Sequence, residues 1–305
     1  MSDRLINDSP FMSSPVLPQT IDGNAQIQFR CHKDIDCFNA CCKNIDISLT
    51  PYDVVRLKKR LGMTSTDFLV KYTFPYEMER DGIAGIKLKP VEDGSACQFM
   101  TEAGCSVYED RPTACRYYPV ALLSLRRQDE FTDRTAYALV QESHCHGHLE
   151  DRKLTVDEYR KEQGIEEYDE LGRGWRQLIL KKQSSGPAVG RPSKRSLQLF
   201  FMACYDVDQF REFIQTPSFE DVYELDQETK DKLYTDDVEL MLFGQRFLSQ
   251  VMFGDQFIKV REDAYERRAA KKTEREARLD EIAKKVGPIE GTTQAEDDKY
   301  KYVDD

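Results

Sequence analysis

The first run of apolar positions with helical spacing follows Leu49-Thr50-Pro51-Tyr52-Asp53. Thr50 suits an N-cap, Pro51 the first helical position and Asp53 the acidic third site. The free N–H groups of a first turn need acceptors, and proline has no N–H to leave unpaired. Val54, Val55, Leu57 and Leu61 fall on one stripe, and Gly62 is placed to end it. A second short helix is expected from about Thr66 to Lys71, capped by Thr64 or Ser65. Over 82–108 the period changes. Gly-Ile-Ala-Gly-Ile-Lys-Leu-Lys-Pro alternates and breaks at Gly and Pro, as strands do. Cys97-Gln-Phe-Met and Cys105-Ser-Val-Tyr flank Thr101-Glu-Ala-Gly104, which predicts a small β-hairpin with one cysteine on each arm. Asp110-Arg-Pro112 opens another short helix or turn carrying Cys115.

From 155 onward the pattern is helical. Thr155-Val-Asp-Glu158 is a capping box whose helix reaches Gly164, and a second helix over 166–181 sets Tyr168, Leu171, Trp175, Leu178 and Ile179 on one face. A Ser/Gly/Pro-rich loop is expected near 183–193. Leu197–Phe213 and Val238–Phe253 read as apolar-rich helices, and the stretch 261–286 as one charged, solvated helix. Residues 1–24 lack periodicity and read as a flexible arm, and 287–305 as a disordered tail. The expected fold class is α+β. A cysteine-organised N-terminal domain of short helices and a small hairpin, over 25–150, is followed by a mainly helical region, 151–286, packed on it.

Composition narrows the function. The 305 residues carry a net charge of −11 with 32% charged and 40% hydrophobic positions. Neither half is basic, which argues against nucleic acid as a partner, since phosphate backbones demand a basic footprint. The best apolar run, Leu197–Cys204, has one polar interruption and stops after eight residues, far short of the ~20 needed to span a bilayer. No membrane partner is therefore expected, and the default location is cytoplasmic, where thiols stay reduced.

Eight of the nine cysteines lie between Cys31 and Cys145. A dense thiol set in a reducing compartment reads as metal binding before disulfides. The spacings are Cys31-x5-Cys37-x3-Cys41-Cys42 and Cys97-x7-Cys105-x9-Cys115-x29-Cys145, enough thiolates for two four-ligand zinc or iron–sulfur sites. Repeated Cys-x2-Cys knuckles are absent, which inclines the choice toward iron or an iron–sulfur cluster, with zinc as the alternative. Adjacent Cys41 and Cys42 diverge by about 100° on a helix and lie on opposite faces of a strand. They therefore suit two neighbouring centres, or one ligand beside one reactive thiol. His144, His146 and His148, on a shared strand face, offer imidazoles beside Cys145. Arg111 and Arg116 are candidates for donors to sulfur, or for salt bridges to Glu109 or Asp110. Cys204, among Leu, Phe and Met, reads as core.

Taken in order, Phe29-Arg-Cys31, Cys37-Phe-Asn-Ala-Cys41-Cys42-Lys-Asn, Leu49-Thr50-Pro51-Tyr52-Asp53, Cys97-Gln-Phe-Met, Gly104-Cys105-Ser-Val-Tyr108-Glu-Asp-Arg111-Pro112-Thr-Ala-Cys115-Arg116-Tyr-Tyr-Pro119 and Cys145 resemble the YkgJ-type cysteine-cluster family. That family is described as a zinc- or iron-chelating domain and is distantly similar to flagellin lysine N-methylases. The resemblance covers roughly 29–150. It implies Cys31, Cys37, Cys41, Cys42, Cys97, Cys105, Cys115 and Cys145 as the ligand pool and a metal ion as partner. A protein partner, a substrate and a reaction are not implied. A cluster-dependent transferase resembling the N-methylases is the alternative function, although no Gly-rich cofactor loop and no Cys-x3-Cys-x2-Cys occur in the chain.

Overall fold

The computed structural model describes residues 16–78, 83–125, 134–184 and 193–286. The first element, β1 (Val16–Ile21), falls inside the expected arm and corrects that reading. Its partner lies more than a hundred residues downstream, so no local period announces it. Residues 1–15 and the expected tail, 287–305, lie outside the described residues.

β2 (Gln26–Gln28) leads into the first cysteine segment, which closes in a 3-10 turn at Ala40–Cys42. After β3 (Ser48–Leu49) comes α1 (Pro51–Leu61), built as its sequence requires. The Asp53 N–H donates to Thr50 Oγ1 at 3.2 Å, the Thr50 N–H donates back to Asp53 Oδ2 at 2.8 Å, and Gly62 ends the helix in the left-handed region. α2 (Ser65–Tyr72) is capped by Thr64. β4 (Thr73–Met78) and β5 (Ile83–Leu88) pair antiparallel, with β3 on the far side of β5. Pro75 is tolerated because β4 is an edge strand of this sheet, where a missing N–H costs no ladder bond.

The hairpin is shorter than expected. Only β6 (Met100–Thr101) and β7 (Gly104–Cys105) pair, so Cys105 lies on an arm while Cys97 stands ahead of it, bridged to Pro90. The Cys97 N–H donates to the Cys42 carbonyl at 2.8 Å, which ties this residue to the first cysteine segment rather than to the hairpin. Gly104 has φ 118°, and a Cβ there would lie 3.2 Å from the Phe38 ring, so the turn demands glycine.

α3 (Thr113–Tyr117) precedes β8 (Val120–Leu125) and β9 (Arg134–Val140), which with β1 form a three-stranded antiparallel sheet in the order β1-β9-β8. β10 (Lys153–Thr155) returns to pair with β2 and runs straight into α4 (Val156–Glu162), whose capping box is Thr155 with Glu158. α5 (Ile165–Ser184) follows. Ile27, Phe29, Tyr117, Val120, Tyr137, Leu154, Val156, Tyr159 and Ile165 close one core, against which Cys145 packs.

The expected loop at 183–193 is shorter, since Gln183 and Ser184 complete α5 and Ser193 caps α6 (Lys194–Tyr205); 185–192 are outside the described residues. The apolar run 197–213 is two helices, α6 and α7 (Val207–Ile214), broken at Asp206. Asp206 accepts from the hydroxyls of Ser65 (2.7 Å) and Thr66 (3.0 Å), a long-range demand that overrides helical continuity. α8 (Pro217–Glu220), α9 (Gln227–Thr235), α10 (Asp237–Phe253) and α11 (Ala264–Val286) complete the chain.

Residues up to Ile214 with Asp226–Phe257 form one compact unit, and Gln215–Leu225 with the segment from Ile258 form a second. The helices of 151–214 and 226–257 thus share a unit with the cysteine region, whereas 258–286 lie in the other. Within the first unit, Gly244 of α10 lets the helix approach α6 so closely that a Cβ would stand 2.6 Å from the Ala203 carbonyl. Lys58 of α1 pairs with Asp208 (2.8 Å) and Asp237 (2.9 Å), joining α1 to α7 and α10. In the second unit, Tyr223 bridges Val260 and Asp221 pairs with Arg267 and Lys271 of α11. Among the described residues no helix is long and apolar enough to cross a membrane.

Candidate metal centre

Four short segments carry the thiols: the loop and 3-10 turn of 31–42, the approach to the hairpin with β7, α3, and the turn at 145–149. Cys31 and Cys41 are exposed, Cys97 is buried, and Cys37, Cys42, Cys105, Cys115 and Cys145 are half-buried. All eight are free thiols. Backbone bonds set their mutual placement. The Cys97 N–H holds the Cys42 carbonyl, and the His146 N–H donates to Cys37 Sγ at 3.3 Å, which brings Cys145 and its neighbours to the first segment.

The thiols act on one another in two overlapping sets. Burial and then the charges of Cys41, Cys37 and Cys145 push Cys31 up to about 11. Its residue is open to solvent, yet surrounding protein still desolvates the sulfur. Cys41 and Cys42 share a hydrogen bond with sulfurs 3.9 Å apart. That bond brings Cys41 down to about 7 against the opposing effects of burial and Glu142. The same bond, then burial, then Cys41, Cys115 and Cys97 raise Cys42. Burial first, then Cys97, Asp53, Cys105 and Cys41, raises Cys115. Cys97 and Cys105 are raised by burial. The N–H groups of Phe99 and Met100 oppose this at Cys97, and those of Val107 together with the Arg111 charge oppose it at Cys105. Amide hydrogen bonds of this kind favour the thiolate, the form that binds metal.

Cys31, Cys37, Cys41 and Cys145 are called the outer set, and Cys42, Cys97, Cys105 and Cys115 the inner one; Cys41 acts on thiols of both. The sulfurs do not make a closed shell. Among the described residues no three of them lie within 4.8 Å of one another, against about 3.8 Å between ligands in a tetrahedral thiolate shell with ~2.3 Å bonds. Cys204 stands apart, fully buried in the helical core, and burial alone raises its thiol.

α3 reaches the inner set through a contact that the sequence does not announce. Its N-cap position is Pro112, which has no capping side chain. Asp53, buried on α1, supplies the acceptor instead: Oδ1 takes the Thr113 N–H at 2.8 Å and the Thr113 hydroxyl at 2.7 Å. Arg111 and Arg116 neither donate to sulfur nor pair with the Glu109 or Asp110 carboxylates. Both are buried and bond main-chain carbonyls: Arg111 that of Tyr108, Arg116 those of Arg111, Gln163 and Glu109. Asp110 pairs with Arg56 instead, at 2.6 Å. Buried guanidiniums with five donors are best satisfied by several fixed carbonyls, and this cradle holds the 108–116 segment in shape.

The three late histidines do not share a strand face, because 146–149 is a 3-10 turn. His148 bonds the Val140 carbonyl at 3.0 Å and packs on Phe29, which makes it structural. His144 lies 3.6 Å from Glu142. His146 alone reaches the thiols. Its Nδ1 is 2.6 Å from Asp36 Oδ1, and Asp36, Cys37 and His146 offer ligand atoms that all lie within 4.8 Å of one another. Asp36 carried no sequence signal beyond its position next to Cys37.

No curated protein and no solved structure matches the chain. Residues 30–146, the segment holding all of these thiols but no part of the later helices, match the CxxCxxCC family model, whose description proposes a zinc- or iron-chelating domain.

Proposed function

We propose that residues 30–146 bind metal through two adjacent thiolate sets that meet at Cys41 and Cys42. The outer set is Cys31, Cys37, Cys41 and Cys145; the inner is Cys42, Cys97, Cys105 and Cys115. The observation that supports this reading is that distant thiol segments are tied together, Cys97 to the Cys42 carbonyl and the His146 N–H to Cys37 Sγ, with the Cys41 and Cys42 sulfurs 3.9 Å apart, while Cys204 is left in an apolar core. Like-charged thiolates repel, and a bound cation removes that repulsion while releasing protons. The soft, sulfur-only inner set suits iron, as ions or as an iron–sulfur cluster, with zinc as the alternative. Reduced thiols in this number suit a cytoplasmic location.

The test is metal analysis and a visible spectrum on the full chain purified without oxygen, and again after reconstitution with iron and sulfide or with zinc. Brown protein with sulfur-to-iron absorption indicates a cluster, whereas colourless protein with stoichiometric zinc indicates zinc. Less than one metal per chain under every condition overturns the reading.

A further inference from the structure

We propose that Asp36, Cys37 and His146 form a mixed-ligand site for a divalent transition-metal ion at the rim of the outer thiol set. This rests on the thiolate reading above and gives one of its two centres a nitrogen and an oxygen ligand. Among the described residues this trio is the one group of three such ligand atoms already within 4.8 Å of one another. A tetrahedral ion with ~2.0 Å bonds to N or O and ~2.3 Å to S separates its ligands by about 3.3–3.8 Å. The 2.6 Å between His146 Nδ1 and Asp36 Oδ1 is slightly closer, the spacing of a shared proton. An ion replacing that proton needs the two side chains to part by less than an ångström.

The backbone prepares the site. The His146 N–H already donates to Cys37 Sγ at 3.3 Å, the kind of bond that metal-bound thiolates receive. The turn carrying His146 is pinned where the Arg30 N–H donates to the Gly147 carbonyl at 3.0 Å. Gly147 is needed there, because a Cβ would stand 2.6 Å from the Phe29 ring and 2.9 Å from the Arg30 carbonyl. Asp36 and His146 are open to solvent, with side chains 73% and 44% exposed, so an ion can enter without unfolding the segment. Carboxylate, thiolate and neutral imidazole carry two negative charges and suit a borderline ion such as Zn²⁺, Fe²⁺ or Co²⁺, whereas Ca²⁺ and Mg²⁺ prefer all-oxygen shells.

The experiment is an anaerobic titration of the full, reduced chain with cobalt(II) chloride, followed by visible absorption and by metal content after desalting. It is repeated on Asp36→Asn, His146→Gln and Cys115→Ser. Both outer side chains are exposed, and circular dichroism melts check that their variants fold. The expected result is sulfur-to-cobalt absorption in the parent, with at least tenfold weaker binding of one cobalt ion in Asp36→Asn and His146→Gln. Cys115→Ser should instead weaken the other ion. If the parent binds cobalt through sulfur and both outer variants match it in affinity and spectrum, the mixed site is refuted while the thiolate reading stands. If the parent shows no sulfur-to-cobalt absorption, both fall.

Discussion

Replacing Asp53 with alanine removes a side chain that serves two helices at once. In α1 its carboxylate accepts from the Thr50 N–H at 2.8 Å, and in α3 from the Thr113 N–H and hydroxyl at 2.8 and 2.7 Å. Losing the capping contribution costs about 1 kcal/mol. Orphaning the two Thr113 donors costs about 1–3 kcal/mol each. The opposing term is the release of a buried charge: Asp53 is fully buried, and burial, the largest influence on it, raises its pKa against the pull of these hydrogen bonds. A net loss of about 3 kcal/mol follows, which for a unit of this size lowers Tm by roughly 6–12 °C. Asp53→Asn keeps an oxygen for Thr113 but turns an amide NH₂ toward the Thr50 N–H, so its loss should be about 1 kcal/mol. Urea midpoints and calorimetric melts of metal-free protein measure both variants. Because α3 carries Cys115, Asp53→Ala should also weaken metal binding at the inner set, read as metal per chain after desalting. An Asp53→Ala protein that melts within a degree of the parent, or above Asp53→Asn, refutes the argument. It would mean that desolvation of the carboxylate cancels its hydrogen bonds.

Metal removal should lower the melting temperature by many degrees, because the 76–120 segment has few long apolar runs and ligation is then part of folding; an unchanged melt after verified removal counts against this. Cys41→Ser and Cys42→Ser should each cost metal at a different set and together abolish both, and identical losses with nothing further in the double variant would place the two thiols at one ion. Asp208 is opposed by burial, but Lys58, the Ser65 N–H and Arg211 more than offset it and hold its carboxyl down to about 2 from 3.8. Its stabilisation is therefore complete above the unfolded value and is lost as pH falls from about 3.8 to about 2. With partial solvent screening this amounts to about 1–2 kcal/mol. Asp208→Asn should flatten that part of the stability–pH curve, and an unchanged acid limb would show the pair to be inert. Cys204→Ala should cost about 1 kcal/mol for one lost apolar group and leave metal content unchanged; any loss of metal would bring Cys204 into the ligand pool.

What could be read from the chain divides by sequence separation. The caps of α1 and α4 were legible because Thr50 with Asp53, and Thr155 with Glu158, complete their bonds within three residues. The sheet of β1, β8 and β9 was not. Val120–Leu125 is an apolar run that helix and strand share, and Val16 finds Val140 only across the fold. The site follows the same rule. The cysteines were visible as residue types, since thiol density is a property of composition, but their grouping depends on contacts that no spacing encodes. Cys97 lies beside Cys42, and His146 beside Asp36 and Cys37 across 110 residues. The helical region contributes to this arrangement from outside. Lys58, at the far end of the helix that Asp53 begins, is held by Asp208 and Asp237. One end of α1 is thus anchored in the helices while the other sets the start of α3 beneath Cys115. The placement of a candidate ligand is in this way fixed by residues with no metal chemistry of their own.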